Sequence, residues 1–181
     1  MDYPNMDWTP GNVSIPGIFQ NAFCIPKTDI VSWPAIVDAP ADAAAAVTLA
    51  GAFTLVALKT WKKINHIDKK AIVVCEPQGE ERSQTFLNKG TLKTSLTTED
   101  ATAFAMKANN DDLVYAVREK NSKKMRILGN EMFSTLTKPT LALGGEPTSE
   151  RGVSLEIEVT DGVPAPFFAG PIMTDDGDVN L

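Results

Sequence analysis

Residues 79–129, GEERSQTFLNKGTLKTSLTTEDATAFAMKANNDDLVYAVREKNSKKMRILG, predict most of the fold. A β-type run over 83–96 leads into a short amphipathic helix, which is expected over about 98–108. Thr97 is the expected N-cap, and Asp100 follows three residues later in the capping-box position. Because a single helix of this length is not stable alone in water, we expect it to pack on a sheet.

A β-hairpin is predicted over 113–128, directly after the helix. Strand-forming residues occupy both halves of this stretch, and the polar pair Asn121-Ser122 interrupts them where a tight turn is favoured. Gly129 then ends the second strand. The segment therefore contributes two adjacent antiparallel strands.

Further strands are predicted at 18–25, 53–65, 71–75 and 153–159. The last of these alternates most regularly, with apolar residues at positions 155, 157 and 159 and polar residues between them, so it has one core face and one solvent face. Short strands with turn signals between them predict a mainly β fold. We expect an antiparallel β-sandwich or a small barrel with one flanking helix and extended arms.

The chain has 181 residues, which fits one domain with extensions. Proline and polar residues without periodicity predict an N-terminal arm at 1–16. A single domain is expected over 17–172, with an irregular insertion at 26–50, and an acidic C-terminal tail over 173–181. The uncharged stretch 43–58 is too short to cross a bilayer, so we interpret it as a loose linker or helical turn followed by a buried strand.

The composition is that of a globular protein with a substantial core. Apolar residues make up 43% of the chain and charged residues 22%, and the formal net charge is −6. A negative net charge does not indicate a basic face for nucleic acid, so nonspecific DNA binding is not expected. Cys24 and Cys75 lie in apolar runs and are expected to pack as free, small hydrophobic residues. The first residues lack the features of a signal peptide, which predicts a cytosolic site of synthesis.

The sequence contains no recognisable catalytic motif. His66 is the one histidine, and without further ligands a metal role is not expected, so we interpret it as a polar residue at a strand edge. The stretch 144–147 lacks the lysine and hydroxyl residues of a phosphate-binding loop and predicts a turn. The doublets Asp111-Asp112 and Asp175-Asp176 are interpreted as solvated, because adjacent side chains on an extended strand point opposite ways. We therefore predict no enzyme activity, cofactor or metal.

Six segments follow one another in a recognisable order. They are Gly17-Ile18-Phe19 before Cys24-Ile25-Pro26, the stretch Phe53 to Trp61, the stretch Glu80 to Phe86, the helix that starts at Thr97, the strand end Arg126 to Gly129, and the closing stretch Pro164 to Gly170. Read together over roughly 15–172, these segments resemble the tail tube protein (major tail protein) of bacteriophages and prophages carried by Bacteroidota hosts.

The resemblance implies a structural virion protein. It implies a β-sandwich whose copies close into hexameric rings, and rings that stack into the tail tube through which DNA is ejected. The implied partners are further copies of the chain, other tail proteins and passing DNA that is not specifically bound, with assembly in the bacterial cytoplasm. Glu156 and Glu158, with Asp161 nearby, are the candidate lumen-facing acidic residues. Alternatively, these carboxylates only solvate an outer sheet face.

Four aromatic residues are candidate anchors between subunits. Trp8 and Trp33 lie in proline-rich segments, and Phe167 and Phe168 begin the C-terminal extension. Two other readings stay open. The chain is alternatively another virion protein, a tail terminator or a head decoration protein, or it is a β-sandwich module that binds carbohydrate or peptide and needs an exposed aromatic platform.

Overall fold

The computed structural model describes residues 3–7, 9–146 and 149–179, and the candidate anchor Trp8 lies outside the described residues. It contains fourteen strands and one α-helix, α1 (Glu99–Ala108), with two short 3-10 turns at Lys27–Asp29 and Ala45–Val47. The strands in chain order are β1 (Ile18–Pro26), β2 (Ile30–Ser32), β3 (Thr48–Leu49), β4 (Thr54–Leu55), β5 (Lys62–Asn65), β6 (Ile72–Gln78), β7 (Thr85–Lys93), β8 (Leu113–Glu119), β9 (Met125–Leu128), β10 (Leu136–Ala142), β11 (Gly152–Asp161), β12 (Phe167–Phe168), β13 (Ile172–Thr174) and β14 (Gly177–Val179).

Two sheets face each other across the main core. The six-stranded sheet has the order β3-β12-β9-β8-β1-β5, and the four-stranded sheet has the order β10-β11-β7-β6. Their strand pairs are antiparallel except for β12 with β3, which is parallel. Two small sheets, β2-β4 and β13-β14, complete the fold. The predicted mainly β architecture with one flanking helix is confirmed.

The six-stranded sheet is buried on both faces. Along β8, Tyr115 and Val117 point into the core between the sheets, whereas Val114 and Ala116 point into a second core on the opposite side. The second core is closed by Trp33 and Phe53 from the chain between β2 and β5, and by residues of the C-terminal segment. The insertion that the sequence marks as irregular therefore covers one face of this sheet.

Helix α1 packs its apolar stripe on the core between the sheets. Phe104, with Ala101, Ala105 and Ala108, makes this contact, as the sequence predicts. The predicted cap at Thr97 is wrong by one residue. Thr98 has the extended backbone of an N-cap, and its side-chain oxygen accepts a hydrogen bond from the backbone N–H of Ala101 at 3.4 Å. Asp100 therefore does not occupy the third helical position that a capping box requires.

Replacing Thr98 by alanine is expected to lower the free energy of unfolding by about 1 kcal/mol, because an N–H of the first turn loses its acceptor. Urea denaturation measures this change. Thr97→Ala is the matched control, and it should change stability by less than about 0.5 kcal/mol, as surface substitutions usually do. A larger loss from Thr97→Ala than from Thr98→Ala would contradict the assigned cap.

The single strand predicted over 53–65 is wrong. The chain turns between β4 and β5, where Leu58 adopts a left-handed backbone conformation at φ 66° and is fully exposed. Backbone bonds fix this turn: Val56 N–H donates to the carbonyl of Asp29, and Lys59 N–H donates to the carbonyl of Val56. The buried strand expected after Gly51 is consequently only a short edge segment.

The C-terminal segment is a hairpin, not the predicted acidic tail. Strands β13 and β14 pair around the turn at Asp175-Asp176, and Ile172 is fully buried at its start. The carboxylate of Asp175 pairs with Lys62 at 2.6 Å and accepts a hydrogen bond from Thr60, which lowers its pKa. The ion pair between Asp175 and Lys62, which the local sequence does not reveal, offsets part of the negative charge of this segment.

The N-terminal arm (residues 1–16) carries no strand or helix in its described part. Residues 3–7 and 9–16 are exposed, and one turn, closed by Asn12 N–H on the carbonyl of Thr9, lies within them. In the described ranges of the chain, no helix has the length and apolar character needed to span a bilayer.

Candidate functional surfaces

Potential metal ligands are scattered over the part of the chain that the structure describes. Within residues 3–7, 9–146 and 149–179, no three His, Cys, Asp or Glu side chains come together as metal ligands would. His66 follows β5 and is buried, with Nε2 2.7 Å from the carbonyl oxygen of Phe19 and Nδ1 3.2 Å from that of Ile67. The contact with Phe19 ties the end of β5 to the start of β1, which is a structural role at the strand end.

The two cysteines are free, as expected from their apolar surroundings. Cys24 is buried in the core between the sheets, and this burial raises the pKa of its thiol to about 12. Cys75 on β6 is half-buried, which also raises its pKa. Both thiols are therefore protonated and poorly nucleophilic near neutral pH.

Asp112 of the acidic doublet and the turn after the glycine pair are each held by contacts within the chain. The carboxylate of Asp112 accepts a hydrogen bond from Thr135 N–H at 2.8 Å and lies 3.7 Å from Lys27, so it closes a loop beside α1. At the predicted turn 144–147, Glu146 N–H donates to the hydroxyl of Ser149, and Ser149 N–H donates back to the carbonyl of Glu146. Pro147 lies outside the described residues.

Glu156 and Glu158 lie together on the outward face of the four-stranded sheet. Neighbouring strands place lysines beside them: Lys138 on β10 is 3.3 Å from Glu158, and Lys89 on β7 is its cross-strand partner. By strand register the outward face carries three carboxylates and three lysines, namely Glu76, Glu156, Glu158, Lys89, Lys93 and Lys138. The face is charge-balanced, which a view of β11 alone does not reveal.

Asp161 is not part of that face. It ends β11 on the opposite side from Glu156 and Glu158, because side chains alternate along a strand. It is half-buried, which raises its pKa, whereas hydrogen bonds from the Asn130 side chain and from the N–H groups of Gly162 and Val163 act in the opposite direction. The structure thus separates the three predicted acidic residues into a surface pair and a loop-fixing residue.

The prediction that Phe168 is an anchor between subunits is wrong. Its ring is buried in the second core, 5.1 Å from the ring of Phe53, and so cannot reach another subunit. Trp33 is half-buried and packs edge-on against the same ring at 5.6 Å. Phe167 points the other way and lies under the guanidinium of Arg126, 3.9 Å from the ring centroid. Adjacent strand residues face opposite sides of a sheet, which explains why Phe168 is buried in the second core and Phe167 is not.

Sequence reasoning missed the apolar edges of the four-stranded sheet. On β6, Ile72 is 61% exposed and Val74 42%, and on β10, Leu136 is 50% exposed. Leu141 and Leu143 extend the second edge. The continuous run Ile72-Val73-Val74 was the available signal, since an edge strand with one solvated face normally alternates.

A basic hairpin tip was also missed, because the net charge of −6 hides it. The hairpin tip, defined as residues 118–126 between β8 and β9, holds five basic side chains and one acidic side chain. Lys120 pairs with Asp68 at 2.6 Å, and Arg126 pairs with Glu119 at 3.3 Å. Arg118, Lys123 and Lys124 have no carboxylate within 4 Å in the described part of the chain. The net charge therefore did not reveal this local cluster of basic side chains.

Comparisons with protein-family models, with curated proteins and with solved structures find no match to this chain.

Proposed function

We propose that this chain is a structural virion protein of the phage tail tube, in which copies close into hexameric rings and the rings stack. The observation that carries the proposal is the pair of unpaired edge strands on one sheet, each of which exposes apolar side chains. In the described chain, β6 pairs only with β7 and β10 pairs only with β11. A strand edge of this kind offers backbone donors and acceptors to another strand.

The two edges are chemically suited to each other. Ile72 and Val74 on one side and Leu136 on the other are apolar and share the outward face of the sheet, so their contact removes nonpolar surface from water. Since β6 and β10 are different strands, the contact is head-to-tail, and its repetition produces a closed ring when the rotation per subunit closes. Each edge strand also holds one proline, Pro77 or Pro139, which lacks an N–H donor and restricts the possible registers.

In the proposed ring, the outward face of the four-stranded sheet lines the channel. Glu156 and Glu158 are then the lumen-facing acidic residues, and Lys89 and Lys138 lie beside them. Strong DNA binding requires many uncompensated basic groups that displace counterions from phosphates. A charge-balanced lining lets DNA pass without holding it, which suits a conduit.

Negative-stain electron microscopy of the full chain, imaged over a range of concentrations, tests the proposal. We expect rings and hollow tubes of uniform diameter. The double variant Ile72→Lys, Val74→Lys places two charges at the β6 edge and is expected to weaken ring formation at least tenfold, which corresponds to about 1.4 kcal/mol or more.

The matched control is Met106→Lys, because Met106 is 67% exposed on α1 and lysine is a good helix former. This variant should assemble as the wild type does. Monomers of the wild-type chain at every concentration would contradict the proposal, and rings that never stack would instead indicate a tail terminator.

A further inference from the structure

We infer that the N-terminal arm of one copy docks on the hairpin tip of a neighbouring copy. This inference rests on the self-assembly proposed above and names a contact within it. Two surfaces of the same chain are incomplete in the isolated subunit: an exposed arm that is acidic and apolar, and a cationic patch beside an aromatic ring.

The composition and exposure of the arm are those of a segment that binds to another protein surface. Residues 1–26 contain no lysine or arginine, and the arm holds Asp2 and Asp7. Within the described part of the arm, Tyr3 is 99% exposed and Met6 96%. Large apolar side chains left fully in water on an irregular segment are expected to be covered by a partner.

The hairpin tip offers the complementary chemistry. A cavity of about 430 Å³ beside it is lined by Arg118, Lys123 and Lys124, with Phe167 and Thr48 on its other side. Lys124 Nζ lies 5.6 Å from the centroid of the Phe167 ring. An acidic segment with apolar side chains satisfies both parts of this site, because the carboxylates meet the free cations and the side chains meet the aromatic edge.

The aromatic rings at the tip favour a protein segment over nucleic acid. Arg126 covers the Phe167 ring at 3.9 Å, and Arg118 covers the Phe19 ring at 5.2 Å. Single-stranded nucleic acid binds by stacking bases on open aromatic faces, and these faces are occupied by the chain's own cations. The overall charge of −6 adds repulsion towards a polyanion.

The length of the arm limits how far away the neighbouring tip can lie. Its base is fixed at the tip of its own copy, where Ile15 N–H donates to Asn121 Oδ1 at 3.2 Å and Lys120 N–H donates to the carbonyl of Gly17 at 3.0 Å. From there, the nine residues back to Met6 span at most about 30 Å when fully extended, and the turn between Thr9 and Asn12 shortens that span. The neighbouring tip must therefore lie within about 30 Å of the base of the arm.

Disulfide trapping between two full-length variants tests the contact. One variant carries Met6→Cys and the other Lys124→Cys, both with Cys75→Ser, so that buried Cys24 is the sole native thiol. Mixed under mild oxidation, they are expected to give a heterodimer at least about ten times as abundant as with the control Lys107→Cys, an exposed lysine on α1.

A chain carrying both Met6→Cys and Lys124→Cys separates docking between copies from folding back. We expect linked multimers from this chain. A crosslinked monomer as the main product, or no heterodimer in the mixture although wild-type tubes form, overturns the docking inference and leaves the proposed function standing. Wild-type chains that stay monomeric and uncrosslinked at all concentrations overturn both.

Charge exchange provides an independent readout. Asp7→Lys alone, and Lys123→Glu with Lys124→Glu, should each raise the concentration needed for stacking at least about threefold, and combining them should restore much of the loss. Retention of single-stranded DNA by the wild-type chain, lost in the Lys123→Glu, Lys124→Glu variant, would assign the tip to nucleic acid and overturn the inference.

Discussion

Replacing Gly152 by alanine is expected to lower the free energy of unfolding by about 3 kcal/mol or more. Gly152 begins β11 with φ 127°, a conformation that residues with a side chain rarely adopt. A Cβ at this position would overlap the carbonyl oxygen of Thr94 and lie 2.8 Å from its carbonyl carbon. Backbone atoms cannot move aside as a flexible side chain can, so β11 must shift away from the end of β7.

Gly145→Ala is the control for this substitution. No atom lies within 4 Å of the position that its Cβ would take. Urea denaturation of the two variants is expected to show a large loss for Gly152→Ala and a change within about 0.5 kcal/mol for Gly145→Ala. Equal stabilities of Gly152→Ala and the wild type would mean that β11 does not start as the structure has it.

Local sequence patterns were sufficient to predict the elements whose buried face depends only on neighbouring residues. The stripe of α1 and the alternation of β11 are set by helix and strand periodicity, and both were predicted with the correct faces. The hairpin of β8 and β9 was also readable, because its turn residues lie between two apolar runs. Even the cap was missed by only one residue, since Thr97 and Thr98 are chemically identical.

Partners that are distant in sequence explain the errors. Lys138 and Lys89 neutralise the β11 carboxylates from strands that only the sheet order places beside them. Likewise, Asp175 is held by Lys62, more than a hundred residues earlier. The basic hairpin tip is visible in the sequence, but net charge averages it with the acidic remainder. Composition alone therefore misjudges both surfaces.

The two sheets differ in how completely the chain covers them. The six-stranded sheet is covered on both faces, by the main core and by the second core. The four-stranded sheet keeps one face open to solvent, and its outer strands β6 and β10 pair with no further strand in the described chain, although α1 packs beside β10. In the proposed assembly, this division concentrates the stability of each subunit away from the surfaces that would form contacts. Substitutions in the second core should then affect folding more than assembly.

Trp61→Ala tests that division, with an expected loss of about 3–5 kcal/mol in the free energy of unfolding. Trp61 is 1% exposed, its ring lies 5.3 Å from that of Phe53, and its backbone N–H, which alanine would keep, donates to the carbonyl of Met173 at 2.9 Å. The substitution leaves a large cavity beneath the C-terminal hairpin, so proteolysis within 172–179 should accelerate.

The half-buried Trp33 provides the matched control for Trp61. It packs against the same Phe53 ring but lies at the margin of the second core, so Trp33→Ala is expected to cost less than half as much stability, measured by urea denaturation. Equal losses would contradict the central position of Trp61. At low temperature, where enough folded Trp61→Ala remains, ring formation should persist, because the residue does not contact β6 or β10. Loss of rings from a fully folded Trp61→Ala protein would show instead that the second core also shapes the assembly surfaces.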